Sequence, residues 1–177
     1  KGGVIVFLHS TGDADKDLHL VIVLAGHRVK SIGAIYFEGE MAFDATGAPI
    51  GRWANTAHVE KRLGSETQTA FEGLRAAAPE HWTAPHPLRG CAAIYLRLTY
   101  DADVYPGGLP NVTVDLEGKD DIYDPRLDRH IYSENPALCL ADYMAQPRFG
   151  IGAGIGAADG LEVASLIEAA NICDEEV

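Results

Sequence analysis

The chain has 177 residues, 47% of them hydrophobic, and its 26 acidic and 14 basic side chains give a net charge of −12. This length and composition are enough to bury one sizeable core, which argues against disorder. The longest apolar runs, such as residues 20–25, are too short to span a bilayer. The acidic surplus would repel a phosphate backbone, so we expect neither a membrane span nor direct nucleic-acid binding.

The two ends of the chain suggest a piece of a longer protein. The chain starts at Lys1, without an initiator methionine or the cleavage pattern of a signal peptide. It stops at Val177, directly after a predicted helix. We therefore expect further residues on both sides.

Four β-prone runs occupy the opening segment, at residues 4–8, 18–24, 29–37 and 41–43. Their β-branched and aromatic side chains favour strands, and glycine-containing turns separate them. We predict an antiparallel meander in which 29–37 pairs with 18–24 and 41–43 pairs back.

The middle of the chain contains a short candidate strand within residues 53–63 and a candidate helix. Ser65 and Gln68 have the spacing of a capping box, in which two side chains satisfy helix N–H groups reciprocally. Pro79 ends the apolar helical pattern. The sequence therefore predicts a mid-chain helix over residues 65–78.

Two alternating runs follow, at residues 88–100 and 111–118. In the first run, even-numbered positions from Ala92 to Tyr100 are apolar and fall on one face. We predict that the two runs form an antiparallel pair with one solvated face.

Two helix start signals lie in the C-terminal stretch. Asn135 followed by Pro136 is typical of an N-cap with a first-turn proline, and Pro147 limits that helix. Asp159 with Glu162 has capping-box spacing, which predicts a second helix. The connection between them is rich in glycine, which disfavours helix.

Within that connection, Gly152, Gly154 and Ala157 fit the dinucleotide-binding pattern G-x-G-x-x-A. The pattern works only where a buried strand turns into a helix, so that the helix N-terminus meets a pyrophosphate. Here a predicted helix precedes it. We therefore interpret the segment as a connector between two helices.

Together these elements predict an α+β fold, with an antiparallel β-sheet or β-barrel-like core, a mid-chain helix and two C-terminal helices. We predict a β-rich domain over residues 1–118 and a loop with a helical pair over 119–177.

Two acidic segments are candidates for chemistry. Residues 13–17 begin like a calcium loop, but Leu18 replaces the glycine of the turn and Leu24 replaces the final glutamate. We interpret this segment as a hairpin tip.

The second acidic segment contains Asp120, Asp121, Asp124 and Asp128. Such a cluster can hold a divalent ion or supply an acid/base pair, so a metal-dependent hydrolase using the loop at 120–128 is the alternative function. The run Asp124-Pro125-Arg126 is explained more simply as a turn with a local ion pair.

The remaining chemistry-bearing residues lack diagnostic spacing. The seven histidines show no metal-ligand pattern, and no nucleophile or phosphate-loop motif occurs. Cys91, Cys139 and Cys173 are too widely spaced for a zinc site or disulfide framework, and we interpret them as small core residues. We therefore assign no catalytic, metal or cofactor residue. Trp53 and Trp82, if exposed on one surface, would favour a carbohydrate-binding module.

The C-terminal third carries an ordered set of short motifs. In chain order they are Gly-Lys-Asp-Asp-Ile-Tyr-Asp-Pro-Arg at 118–126, Tyr-Ser-Glu-Asn-Pro-Ala-Leu at 132–138, Pro-Arg-Phe-Gly-Ile-Gly at 147–152, Ala-Ala-Asp at 157–159 and Ile-Cys-Asp at 172–174. This order resembles the tail-tip proteins (host-specificity or tip attachment proteins) of lambda-like tailed bacteriophages.

The resemblance implies a non-enzymatic virion protein of a phage or prophage, located in the virion tail and made in the cytoplasm of the bacterial host. Tail-tip proteins of this kind form a baseplate hub, in which three copies surround the tail lumen and join distal tail and tip proteins. We therefore expect a homotrimer whose partners are other tail proteins. The fragment would lack the receptor-binding tip of such proteins.

The glycine-rich connector is the candidate interaction site. Its residues are Arg148, Phe149, Gly150, Gly152 and Gly154. The glycines of this set have no side chain, which suggests close approach to a neighbouring subunit.

Overall fold

The structure is a computed structural model that describes residues 3–147, 150–157 and 160–175. The chain forms two compact units, Lys1–Gly118 and Lys119–Val177.

Besides two short 3-10 helices at Asp13–Asp15 and Gly51–Trp53, the described residues of the first unit form seven strands and one α-helix. In chain order they are β1 (Val4–Thr11), β2 (Asp17–Ala25), β3 (Ser31–Phe37), β4 (Glu40–Phe43), β5 (Ala57–Leu63), α1 (Glu72–Ala77), β6 (Ala92–Thr99) and β7 (Val112–Glu117). The second unit contains β8 (Ile122–Asp124), β9 (Arg129–Ile131), α2 (Pro136–Ala145) and α3 (Val163–Cys173).

The strands of the first unit form two antiparallel sheets, in the orders β1-β2-β6-β5 and β4-β3-β7. A shared apolar core takes Leu20 and Ile94 from the larger sheet and Ile35, Phe37 and Val114 from the smaller. The predicted α+β class with antiparallel sheets is thus confirmed. The sheets of the described residues are open, so the core is not a closed barrel.

The predicted pairing of residues 18–24 with 29–37 is wrong, because the chain changes sheets between β2 and β3. β2 pairs with β1 and β6, whereas β3 pairs with β4 and β7. The crossing is held by two backbone hydrogen bonds, Val29 N to Leu63 O at 2.9 Å and Lys30 N to Gly118 O at 2.8 Å. These partners are remote in sequence, so local turn chemistry could not indicate them.

β6 is buried on both faces, not on one. Ile94 and Leu96 enter the core between the sheets, while Ala93 and Tyr95 enter a second core built around α1. Its neighbours are β2 and β5, so the predicted pair of residues 88–100 with 111–118 does not form.

The mid-chain helix is shorter than predicted, and Gln68 has another role. Its side chain is buried, where Oε1 accepts from Gly64 N at 2.9 Å and Nε2 donates to Leu88 O at 2.6 Å. Gln68 therefore ties the loop before α1 to the loop before β6, and it does not cap a helix.

Glu60, on the neighbouring strand β5, performs the capping. Its carboxylate accepts hydrogen bonds from Glu72 N at 3.0 Å and Gly73 N at 2.6 Å, at the first turn of α1. The first N–H groups of a helix have no partner within the helix, so this carboxylate satisfies two of them.

A row of hydrogen-bonded polar side chains, centred on the buried His19, crosses the larger sheet. His19 is 1% exposed, with Nε2 at 2.7 Å from Thr11 Oγ1 and Nδ1 at 2.8 Å from Tyr95 Oη. Burial lowers the pKa of His19 and raises the pKa of Tyr95 to about 12. Both groups are therefore neutral at pH 7 and bonded to each other inside the fold.

Residues 13–17 lie at the tip of the β1–β2 hairpin, as predicted, and Ser10 Oγ donates to Asp15 Oδ1 at 2.9 Å. The cysteines are all free. Cys91 and Cys139 are partly buried, but Cys173 is exposed, so the prediction that it is a core residue is wrong.

The second unit packs α2, α3 and the β8–β9 hairpin around a small core, which consists of Ile122, Leu138, Ala141, Leu166 and Ala170. α3 begins at Val163, and its N-cap is Glu162, whose side chain accepts from Ser165 N at 3.2 Å. Asp159, the predicted cap, lies outside the described residues. Across the described part of the chain, no helix has the length and apolar character that a membrane span requires.

Candidate functional site

Asn135 caps α2 and reaches α3 with the same side chain. Its Oδ1 accepts from Ala137 N at 3.0 Å and Leu138 N at 3.2 Å, which confirms the predicted N-cap. Its Nδ2 donates to Ala170 O at 2.8 Å and to Asp174 Oδ1 at 2.7 Å. One buried amide therefore joins the start of α2 to the end of α3.

Arg126 joins the β8–β9 hairpin to the same helix end. Its Nε donates to Asp124 Oδ1 at 3.0 Å and its Nη2 to Asp124 Oδ2 at 2.8 Å, a two-pronged pair. Its Nη1 donates to Asp174 Oδ2 at 2.7 Å and to Asn171 Oδ1 at 3.2 Å. We call Asp124, Arg126, Asn135 and Asp174 the polar clasp.

The hydrogen bonds of the polar clasp shift the pKa values of its ionisable groups so that each group stays charged. Asp124 is 1% exposed, and the hydrogen bonds from Arg126 hold the pKa of its carboxyl below the usual range. Hydrogen bonds from Arg126 and then Asn135 lower the pKa of Asp174 in the same way, while both carboxylates raise the pKa of Arg126. Asp124, Asp174 and Arg126 are thus charged at neutral pH, and the polar clasp is held by ion pairs as well as hydrogen bonds.

The carboxylates of the acidic loop at residues 120–128 do not converge on one site. Asp124 pairs with Arg126, Asp121 lies 3.0 Å from His130 Nδ1, and Asp128 accepts from Tyr123 Oη at 2.9 Å. The predicted turn with a local ion pair is confirmed. Within the described ranges, no group of three or more histidine, cysteine or acidic side chains is arranged to hold a metal ion.

Part of the predicted interaction site can be located, although Arg148 and Phe149 lie outside the described residues. Gly150 packs on the end of α2, where an added Cβ would collide with Tyr143 O and meet Gln146 O at 2.8 Å. Gly152 has φ +69°, a left-handed conformation that side chains disfavour. Local backbone geometry therefore accounts for these two glycines.

Gly154 contributes to the closure of the connector. Its carbonyl accepts from Leu161 N at 3.0 Å, and Gly156 N donates to Leu161 O at 2.9 Å. An added Cβ at Gly154 would meet the Cβ of Ala157 at 3.2 Å. The element before this connector is α2, so the strand that a dinucleotide fingerprint needs does not precede it.

Exposed apolar side chains lie along α2 and just beyond it. Leu140 is 58% exposed, Tyr143 54% and Ile151 73%. Leu140 and Tyr143 share a helix face by their spacing, and Ile151 N bonds to Met144 O at the end of α2. We call Leu140, Tyr143 and Ile151 the outer apolar surface. The glycine-rich pattern in the sequence predicted an interaction site in the adjacent connector, but it did not indicate Leu140 or Tyr143 on α2.

The tryptophans do not form a binding platform. Trp53 and Trp82 are each 5% exposed and belong to two different apolar cores. The exposed pair that a carbohydrate-binding module would require is absent from these positions.

Comparisons with solved structures give a likeness to a virion protein, whereas comparisons of sequence give none. No protein-family model matches the chain, and no curated protein matches it significantly. A chain from the virion of a native gene transfer agent particle is similar with a TM-score of 0.44 and 16% sequence identity. The match covers 67% of this chain and 24% of that chain, so the present chain spans about a quarter of its length.

Proposed function

We propose that the chain is a non-catalytic structural component of a bacteriophage or prophage tail tip, part of the baseplate hub. The polar clasp is the observation that carries this proposal. Asp124 and Arg126 come from the first segment resembling tail-tip proteins, Asn135 from the second and Asp174 from the last. Motifs that are separate in sequence yet meet in one network form a structural unit, which favours a shared fold over chance matches.

The partners of this unit would be other tail proteins. Exposed apolar side chains in a group are typical of protein–protein contacts, and the outer apolar surface supplies such a group. It lies beside the glycine-rich connector, the interaction site suggested by the sequence. A trimer around the tail lumen, with distal tail and tip proteins as neighbours, would cover this surface in the virion.

The charge of the chain suits this role. A hub surrounds a lumen through which DNA passes, and a protein with a net charge of −12 repels the phosphate backbone instead of retaining it. The hydrolase alternative has less support, since Asp121, Asp124 and Asp128 each have a different partner.

Co-expression with the tail proteins encoded beside its gene tests the proposal. We expect the chain to co-purify with at least one of them, and light scattering of the complex to give a mass with three copies. Leu140→Glu and Ile151→Glu should abolish co-purification. Leu127→Glu is the matched control, because Leu127 is 51% exposed in the same unit but lies in the β8–β9 turn.

Failure to bind any of these tail proteins would overturn the proposal. Equal loss of binding in the Leu127→Glu control would show that the effect of the substitutions is not specific to the outer apolar surface, and would contradict its assignment as the contact. Far-UV circular dichroism of each variant verifies that the fold is retained.

A further inference from the structure

Two histidines that are far apart in sequence meet on the surface of the first unit. His9 lies on β1, and His81 lies in the loop after α1. Their ring centroids are 4.6 Å apart, with an angle of 58° between the ring planes. His9 is partly buried and His81 is exposed, so a small solute can reach the pair.

Packing of the adjacent residues fixes this approach. Phe7, on the same face of β1 as His9, contacts the ring of Trp82 with centroids 5.2 Å apart. Trp82 is 5% exposed, and its backbone N donates to Ala78 O at 2.9 Å, as does His81 N at 3.0 Å. The loop and the strand therefore hold the two imidazoles together even without a bond between them.

The separation suits a shared metal ion. Imidazole nitrogens bind Zn²⁺ at about 2.0–2.1 Å, so two imidazoles on one ion at near-tetrahedral or square angles have centroids about 4.5–5.2 Å apart. The observed 4.6 Å falls within that interval. Imidazole is a ligand suited to zinc, nickel and copper, whereas magnesium and calcium prefer oxygen.

We propose that His9 and His81 form a two-histidine site for a divalent transition metal such as Zn²⁺, Ni²⁺ or Cu²⁺. No third histidine, cysteine or acidic residue in the described part of the chain completes the set, so water or another solute would fill the other positions. The net charge of −12 favours the site by concentrating cations near the protein.

The bound ion would clamp β1 to the loop after α1. β1 is the edge strand of its sheet, and its apolar residues Val4, Ile5, Val6 and Leu8 are between 47% and 68% exposed. An ion that bridges His9 and His81 adds a link between this edge and the loop.

Calorimetric titration of the full chain with ZnCl₂ and with NiCl₂ at pH 7.5 tests the site. We expect one ion per chain, at least tenfold weaker binding in His9→Gln and in His81→Gln, and unchanged binding in His86→Gln. His86 is the matched control, since its ring also contacts Trp82, at 5.4 Å between centroids, but lies outside the pair.

Nuclear magnetic resonance of the unmutated chain provides a readout that does not depend on the variants folding. Zn²⁺ should shift the imidazole signals of His9 and His81 and leave those of the other histidines in place. No binding, binding unchanged in both pair variants, or equal loss in His86→Gln would overturn the proposal.

Discussion

Asn135 Nδ2 donates a hydrogen bond of 2.7 Å to Asp174 Oδ1. This bond links the residue immediately before α2 to the residue immediately after α3. The amide of Asn135 is suited to this because its oxygen accepts helix N–H groups while its nitrogen donates to an acceptor on the other helix. A residue that only accepts hydrogen bonds cannot do both.

Asn135→Asp should therefore destabilise the protein although aspartate is as good an N-cap as asparagine. The variant loses the bonds to Ala170 O and Asp174, and brings two carboxylates together. We expect a loss of about 2–3 kcal/mol in the free energy of unfolding, measured by urea denaturation. A neutral result would mean that capping alone is the role of Asn135.

Arg126→Lys should also destabilise the protein, because lysine keeps the charge but not the two-pronged geometry. Asp124 would remain buried with a weaker partner. We expect the free energy of unfolding to decrease by about 2–3 kcal/mol. This loss is at the low end of that expected for breaking a buried ion pair, because Arg126 is partly exposed. Arg129→Lys is the control in the same hairpin, where the side chain is exposed; an equal loss there would contradict the assignment.

The polar clasp should make the second unit acid-sensitive. The carboxyl pKa values of Asp124 and Asp174 are lowered in the folded state, so their stabilising effect is present above their unfolded values and is lost as pH falls through the folded values. We expect the free energy of unfolding to decrease as the pH is lowered below about 4. The slope of stability against pH in that region should be smaller in Asp174→Asn, as followed by circular dichroism.

His19 should give a second pH dependence, nearer neutrality. Burial lowers its pKa, with Arg97 and His9 acting in the same direction and Asp17 opposing them. The unfolded state then binds a proton first, so stability should decrease as pH falls below about 6.5. Denaturation at pH 7.5 and 5.5 measures this decrease, which His19→Gln should abolish and His27→Gln should leave intact.

Gly152→Ala should cost more folding stability than Gly154→Ala. Gly152 has φ +69°, where a Cβ is strained by about 1 kcal/mol, whereas Gly154 would meet only the Cβ of Ala157. Thermal unfolding of both variants measures the difference. Equal melting temperatures would mean that the connector adjusts without strain.

Much of this fold follows from local sequence. Asn135-Pro136 predicted the start of α2 because capping and proline at the first turn are local effects. The β-prone runs predicted strands for the same reason, and their alternation identified the face of β6 that carries Ile94 and Leu96.

The tertiary structure decided which distant groups meet. Gln68 has capping-box spacing but binds loop carbonyls, and Glu60, from a strand earlier in the chain, caps α1 in its place. No local pattern indicates such a replacement, because a hydrogen bond across the fold depends on where the chain returns.

The same distinction holds for the sites. The sequence alone determined the motifs that place Asp124, Arg126, Asn135 and Asp174 in a recognisable order, but only the packing of α2, α3 and the β8–β9 hairpin brings them into one network. His9 and His81 have no metal-ligand spacing, and the fold brings them together next to the contact of Phe7 with Trp82. Backbone preferences act between neighbours in sequence, whereas burial and charge pairing act between neighbours in space.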